Sequence, residues 1–318
     1  MTESQPLPRT GRWELIRALG AVCDTPSVAS VATGALGLGQ VASCDHTQVF
    51  VLSCPPYAAI HLGAEGKLGG EGADRVAGFW RALSLAPPTE PDHLSSLLGL
   101  YANLGEAADT AERPTTKSAL THMRHALLWE HLWSWVPGYT AAVADLAIPV
   151  LSPWADLTGA VLLAELTEGV AGVDNQLPLA LREAPAPLSI DDDADAVLDA
   201  LVAPLRSGIV ITRATLIRAT SEIGLGHRIG ERRYALRAMF EQDLVSTLTW
   251  MAEEARRWGD RNRTPTPKGH YDRTSRWWSA RARHNSIVLA QLAAVPSSSP
   301  STTADIDDPA LRQVSVTG

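Results

Sequence analysis

"PPTEPDHLSSLLGLYANL", residues 87–104, passes from a proline-rich loop into an amphipathic helix within a few positions. Leu94, Leu97, Leu98, Tyr101 and Leu104 recur at helical spacing and form one apolar stripe. Pro91 suits a first helical turn, and either Thr89 or Asp92 can cap it, according to where the helix begins. The same period recurs in Trp13, Ile16, Leu19 and Cys23, in Val76, Phe79, Trp80 and Leu83, and in Trp154, Leu157, Val161, Leu162 and Leu166. Strand-type alternation is almost nowhere to be found, so the fold class expected is all-α, a helical bundle.

Residues 116–135 predict one long helix. Leu120, Met123, Leu127, Leu128, His131, Leu132 and Trp135 share a broad face, with Trp129 and Trp133 opposite. A helix apolar nearly all round belongs at the centre of a bundle. Pro137 stops it and begins the next, over 138–146. "LREAPAPLSIDDDADA", 181–196, is a proline-rich and then acidic connection and the best internal boundary. The expected organisation is a helical domain over 1–185, a linker over 186–196, a helical C-terminal extension over 197–294 and a Ser/Thr/Pro-rich, disordered tail over 295–318. Helices are expected at 194–205, 214–223, 232–240, 244–258 and 275–292, with a loop at 263–271.

The chain has 318 residues, 45% apolar and 19% charged, enough to bury a core larger than one small domain needs. A net charge of −8 argues against a general nucleic-acid binder. Ten tryptophans fit a large core or a groove for apolar peptide. Cys23, Cys44 and Cys54 form no CxxC pair and point to a reducing compartment. The opening "MTESQPLPRTGRWELIRALG" does not read as a secretory signal, and "SVASVATGALGLG" is too short and glycine-rich to span a bilayer, so a cytoplasmic location is expected.

Three blocks resemble the TorD/DmsD family, cytoplasmic chaperones of molybdenum-containing reductases related to the nitrate reductase delta (NarJ) proteins. The first is "CPPYAAIHLGAEGKLGG", 54–70, with Pro55, Pro56, Tyr57, Leu62, Glu65, Leu68 and Gly70 in the family's pattern. The second is Glu90, Pro91, Asp92 and His93, entering a helix without the family's spacer residue. The third is "ALLWEHLWSWVPGY", 126–139, matched through His131, Leu132 and Trp135. The sequence departs from the family in "VFVLSC", 49–54, where a glycine-rich lead into Pro-Pro is usual, and in Tyr57, where Trp is commoner.

The resemblance implies a non-enzymatic chaperone. Its client would be the apo catalytic subunit of a molybdopterin-dependent oxidoreductase, held through the twin-arginine signal peptide until cofactor insertion is complete. The implied client-binding residues are Tyr57, Leu62, Glu65, Leu68, Gly70, Trp80, Asp92, His93, His131 and Trp135. No cofactor, metal or membrane insertion is expected, and the family allows a monomer or a helix-exchanged dimer. The alternatives are a delta-type assembly role for a non-exported reductase and a small-molecule enzyme using Asp92 and His93.

Each site also has a plainer reading. Asp92–His93 is a sufficient helix start, compatible with recognition. A catalytic dyad lacks any nucleophile signature. Trp80, His131 and Trp135 lie on core-facing stripes, and a buried His131 would need a hydrogen-bond partner. Trp129 and Trp133 are expected to pack on a second layer of helices. Cys44, His46, Cys54 and His61 match no structural zinc spacing. "GLGHRIGERR", 224–233, lacks the end of a phosphate loop and more simply separates two helices. The basic run Arg256, Arg257, Arg261, Arg263, Lys268, Arg273, Arg276, Arg281 and Arg283 invites RNA, an acidic membrane, an acidic client, or the chain's own acidic connection near Asp191–Asp195.

Overall fold

The computed structural model describes residues 9–169, 176–262 and 272–295, and every regular element among them is helical. The N-terminal half contains α1 (Arg9–Ala21), α2 (Pro26–Ala35), α3 (Ser43–His46), a π-helical turn (Thr47–Ser53), α4 (Ala58–Leu62), α5 (Gly70–Ala82) and α6 (Leu94–Thr110). It continues through α7 (Pro114–Ala126), a second π-helical turn (Leu127–Leu132), α8 (Val136–Ala144) and α9 (Leu151–Gly169). The remainder comprises α10 (Leu179–Arg182), α11 (Ala194–Val202), α12 (Pro204–Ser207), α13 (Arg213–Glu222), α14 (Arg232–Gln242), α15 (Leu244–Arg261) and α16 (Asp272–Ala294).

The stripe that opened the sequence makes α6 a central helix: Leu94, Leu97, Leu98, Leu100, Tyr101 and Leu104 are all buried. Helix α1 lies along it. A Cβ added at Gly105 would collide with the Trp13 ring, so the missing side chain is what lets the indole sit there. The Trp13 Nε1–H donates to Asp109 Oδ2 at 2.9 Å, and the Arg12 and Arg124 guanidinium carbons lie 4.9 and 5.0 Å from its ring centroid. On the other side of the core, Trp154 of α9 donates from Nε1 to Leu19 O at 3.0 Å.

The single helix expected over 116–135 is instead α7 followed by the second π turn and a break at 133–135. A π turn accommodates one extra residue and rotates the succeeding residues relative to an uninterrupted α-helix. That rotation lets Leu127, Leu128, Trp129, His131, Leu132, Trp133 and Trp135 all be buried. Trp133 then meets the second layer as expected: its Nε1–H donates to Thr274 Oγ1 of α16 at 3.1 Å. Pro137 sits in the first turn of α8, which begins two residues earlier than the sequence pattern predicts.

Helices α15 and α16 pack along each other. They join the rest of the chain through Asn285, which is fully buried. Its Oδ1 accepts from Leu188 N at 3.0 Å, and its Nδ2 donates to Arg206 O at 2.8 Å and Ser207 O at 2.7 Å. One apolar core runs from Trp13 to Leu289, and the proline-rich connection lies against α16 rather than free of it: Arg281 donates to Pro185 O at 2.6 Å. The expected loop at 263–271 and all of the expected tail except Val295 lie outside the described residues.

Candidate functional site: a clamp between two loops

Pro55 and Pro56 carry no N–H, so the chain entering α4 stays extended and exposes its carbonyls to a neighbour. That neighbour is the 90–95 segment. Ala58 N donates to Asp92 O at 3.0 Å and Leu94 N to Pro56 O at 2.8 Å, an antiparallel bridge centred on Tyr57 and His93. The first two sequence blocks are thus one structural unit.

Side chains lock the bridge. Asp92 Oδ2 accepts from Ala59 N at 2.9 Å and so caps α4 rather than its own helix. His93 is the cap of α6, with Nδ1 accepting from Ser95 N at 3.3 Å. The Ser95 hydroxyl donates to Asp24 Oδ1 at 2.8 Å, which ties the unit to the end of α1. Trp80 of α5 donates from Nε1 to Pro91 O at 3.3 Å. The Tyr57 ring stands edge-on to His93 with centroids 4.8 Å apart, and its hydroxyl donates to Glu90 Oε1 at 2.7 Å.

Burial sets the charge states. The Asp92 carboxyl is raised above its usual range by desolvation, against the opposing Ala59 N–H bond. Burial lowers His93, against the pull of Glu90, Asp24 and Asp92. The Tyr57 phenol is pushed up by burial and then by Glu90, so it remains a hydrogen-bond donor.

The third block reaches the clamp through α4 and α5. Trp135 stacks on His61 with centroids 4.9 Å apart, its Nε1–H bonded to His131 O at 2.8 Å. His131 packs on Phe79 of α5 at 4.8 Å. Burial lowers His61 to about 3, helped by Arg232, and His131 to about 4, helped by Arg75. Both are neutral rings in the core.

The ten sequence-predicted residues therefore divide. Leu62, Asp92, His93, His131 and Trp135 are buried; Tyr57 and Trp80 are partly exposed; Glu65, Leu68 and Gly70 face solvent. Leu68 is 61% exposed, an uncovered apolar side chain beside the Glu65–Lys67 ion pair. The accessible carboxylate of the clamp is Glu90 and not Asp92, whose buried group is committed to α4. Nothing in the sequence distinguishes the two, because both stand in the same motif.

Other expectations are revised or supplied with partners. Arg256, Arg257, Arg261 and Arg283 pair with Glu253, Glu254, Asp145 and Asp260, so the basic run meets carboxylates of its own neighbourhood. The acidic connection is met instead by Arg233 and Arg237, which engage Asp195, with Arg233 also on Asp199. Arg263 and Lys268 lie outside the described residues. Cys23 and Cys54 are buried, and burial pushes the Cys54 thiol up to about 12, which keeps it from acting as a thiolate ligand or nucleophile. No cluster of three or more metal-ligating side chains occurs among the described residues. Among them, too, no helix is long and apolar enough to cross a membrane.

Residues 23–141 match the family model described as nitrate reductase delta subunit. No curated protein and no solved structure matches the chain. The matched segment runs from just beyond α1 into α8 and contains the whole clamp together with His61, His131 and Trp135. The match covers 119 of the 318 residues, and over that part the chain is similar to the nitrate reductase delta family.

Proposed function

We propose that the protein is a cytoplasmic chaperone that binds the apo catalytic subunit of a molybdopterin-dependent oxidoreductase at its twin-arginine signal peptide. It holds that subunit until cofactor insertion and folding are complete. The observation that carries this reading is the clamp: two loops fused by backbone bonds, with Glu90 exposed at the edge and one phenolic partner. A guanidinium pairs well with such a carboxylate, and Leu68 offers apolar surface for the uncharged run of a signal peptide. Asp92, His93, Trp80 and Trp135 then act by holding the clamp rigid. The work asked of the protein is differential affinity, tight for the exposed signal and weak for the folded enzyme.

A second reading rests on the family match itself: a delta-type assembly chaperone whose client is never exported. One experiment separates them. Client captured from native cytoplasm is identified by mass spectrometry, and its N-terminal peptide is titrated calorimetrically with Arg-Arg and Lys-Lys sequences. A molybdopterin oxidoreductase subunit whose peptide loses affinity on Arg→Lys exchange supports export proofreading. The same subunit bound without its N-terminal peptide supports the assembly role. Recovery of no such subunit overturns both.

A further inference from the structure

A cavity of about 490 Å³ opens between the 63–69 loop, α11, α12 and the start of α14, away from the clamp's hydrogen bonds. Its cationic lining is Lys67, Arg206, Arg232 and Arg233, and its acidic lining is Glu65, Asp199 and Glu231. Two of these cations are already matched: Lys67 pairs with Glu65 at 3.6 Å, and Arg233 engages Asp199 and Asp195.

Arg206 and Arg232 are different. Arg206 takes part in none of the ion pairs among the described residues, and its Nε is buried with no hydrogen-bond partner. Among the described residues Arg232 is held by carbonyls, donating to Gly66 O at 3.0 Å and Ile211 O at 3.2 Å. Gly66 has φ +63°, and a Cβ there would meet Val202 O at 2.5 Å, so the loop is built to bring its carbonyl to this arginine. Burial lowers Arg232 below the usual guanidinium value despite the nearby Glu231, and Arg281, also lowered by burial, is lowered further by Arg206. Asp199 is the carboxylate nearest in effect to Arg206, but it is already bonded to Arg233 and shared with Lys67, so positive charge is crowded here and incompletely answered by the protein. A buried donor left unsatisfied is costly, and a guanidinium that carries one beside a roomy polar cavity fits a ligand.

We propose that this cavity binds an oxyanion, a phosphate or carboxylate group carried by a small molecule, with Arg206 and Arg232 as its charged partners. The planar fork of a guanidinium matches either group in bidentate geometry. Arg206, Arg232 and Arg233 all lie beyond residue 141, so the site belongs to the part of the chain outside the family match, with only the 64–67 loop shared.

The test is isothermal titration calorimetry of the full chain with inorganic phosphate, pyrophosphate and citrate at matched ionic strength. Saturable one-to-one binding of at least one is expected. Phosphate or pyrophosphate alone identifies a phosphate site, and citrate alone a carboxylate site. Arg206→Gln should weaken binding tenfold or more, whereas Arg256→Gln, on an exposed and paired arginine, should leave it unchanged. Ala186→Glu adds a carboxylate at an exposed lining position and should abolish binding without altering a buried residue, which keeps the test valid if Arg206→Gln unfolds. Binding of none of the three probes, or binding that Arg206→Gln and Ala186→Glu both leave intact, overturns the proposal.

Discussion

The Tyr57 hydroxyl donates to Glu90 Oε1 at 2.7 Å across two loops that are 33 positions apart in sequence. This bond orients the clamp's exposed carboxylate, while the Tyr57 ring packs on His93 beneath it. Ring and hydroxyl have separable consequences. Glu90→Gln keeps an acceptor for Tyr57 but removes the charge. It should leave Tm within a degree or two and weaken a twin-arginine peptide about tenfold, equivalent to ~1.4 kcal/mol. Tyr57→Phe keeps the ring and frees the carboxylate, so the peptide should bind at least as tightly as to wild type. Calorimetric titration of both variants decides it: equal affinity for Glu90→Gln removes Glu90 from the recognition surface.

Asp92 separates a cap from a charge. Its oxygen is needed by Ala59 N, yet its carboxyl is raised by desolvation, so ionisation at neutral pH works against the folded state. For an acid whose folded pKa lies above its unfolded one, stability falls as pH rises through that interval and stays reduced above it. Asp92→Asn keeps the oxygen acceptor and loses the charge; urea unfolding at pH 7 should show it at least as stable as wild type. Asp92→Ala leaves the α4 N–H unanswered and should cost about 1 kcal/mol, within the ~0.5–2 range of a lost cap. Equal losses for both variants would mean that the negative charge itself is stabilising.

The buried imidazoles give the opposite pH dependence. His61 at about 3 and His131 at about 4 lie below the unfolded value, so the unfolded chain binds protons first as pH falls. Their contribution is complete above about pH 6.5 and is lost progressively down to their folded values. At pH 5 each ring should cost on the order of 2 kcal/mol relative to pH 7. His61→Phe keeps a ring against Trp135 and should flatten the stability profile between pH 5 and 7 by one proton's worth. An unchanged slope would show that His61 titrates freely in the folded chain.

Periodicity decides how much of the fold is legible in the sequence. The stripes of α1, α5, α6, α9 and α15 are visible because apolar residues recur every three or four positions, and capped or proline-marked starts fix several boundaries. The second π turn is hidden because one accommodated residue shifts the phase within a run that is apolar on all sides. The clamp is half visible: its two motifs stand out, but a one-residue bridge after two prolines has no alternating pattern to announce it. Which carboxylate faces solvent depends on where α4 begins, and α4 is only five residues long. The destination of the basic run is equally hidden, because charges select partners through the packing of distant helices: Arg261 of the run reaches Asp145, while Arg233, outside it, takes Asp195.

Gly105 and Trp13 form the pair on which the α1–α6 contact turns. A Cβ at 105 would overlap the indole, which is fixed by Asp109 and flanked by Arg12 and Arg124, so it cannot swing away cheaply. Gly105→Ala should therefore destabilise by about 1–3 kcal/mol, the usual cost of overpacking, despite the better helix propensity of alanine. Trp13→Phe shortens the aromatic side chain and removes its donor, and should be destabilising alone through the cavity it leaves. Combined, the two changes should cost less than their sum, because the added methyl occupies vacated space. Urea unfolding of the four proteins in the cycle measures the coupling. Strict additivity would mean that α1 and α6 separate to admit the methyl, and that the glycine is not what sets their distance.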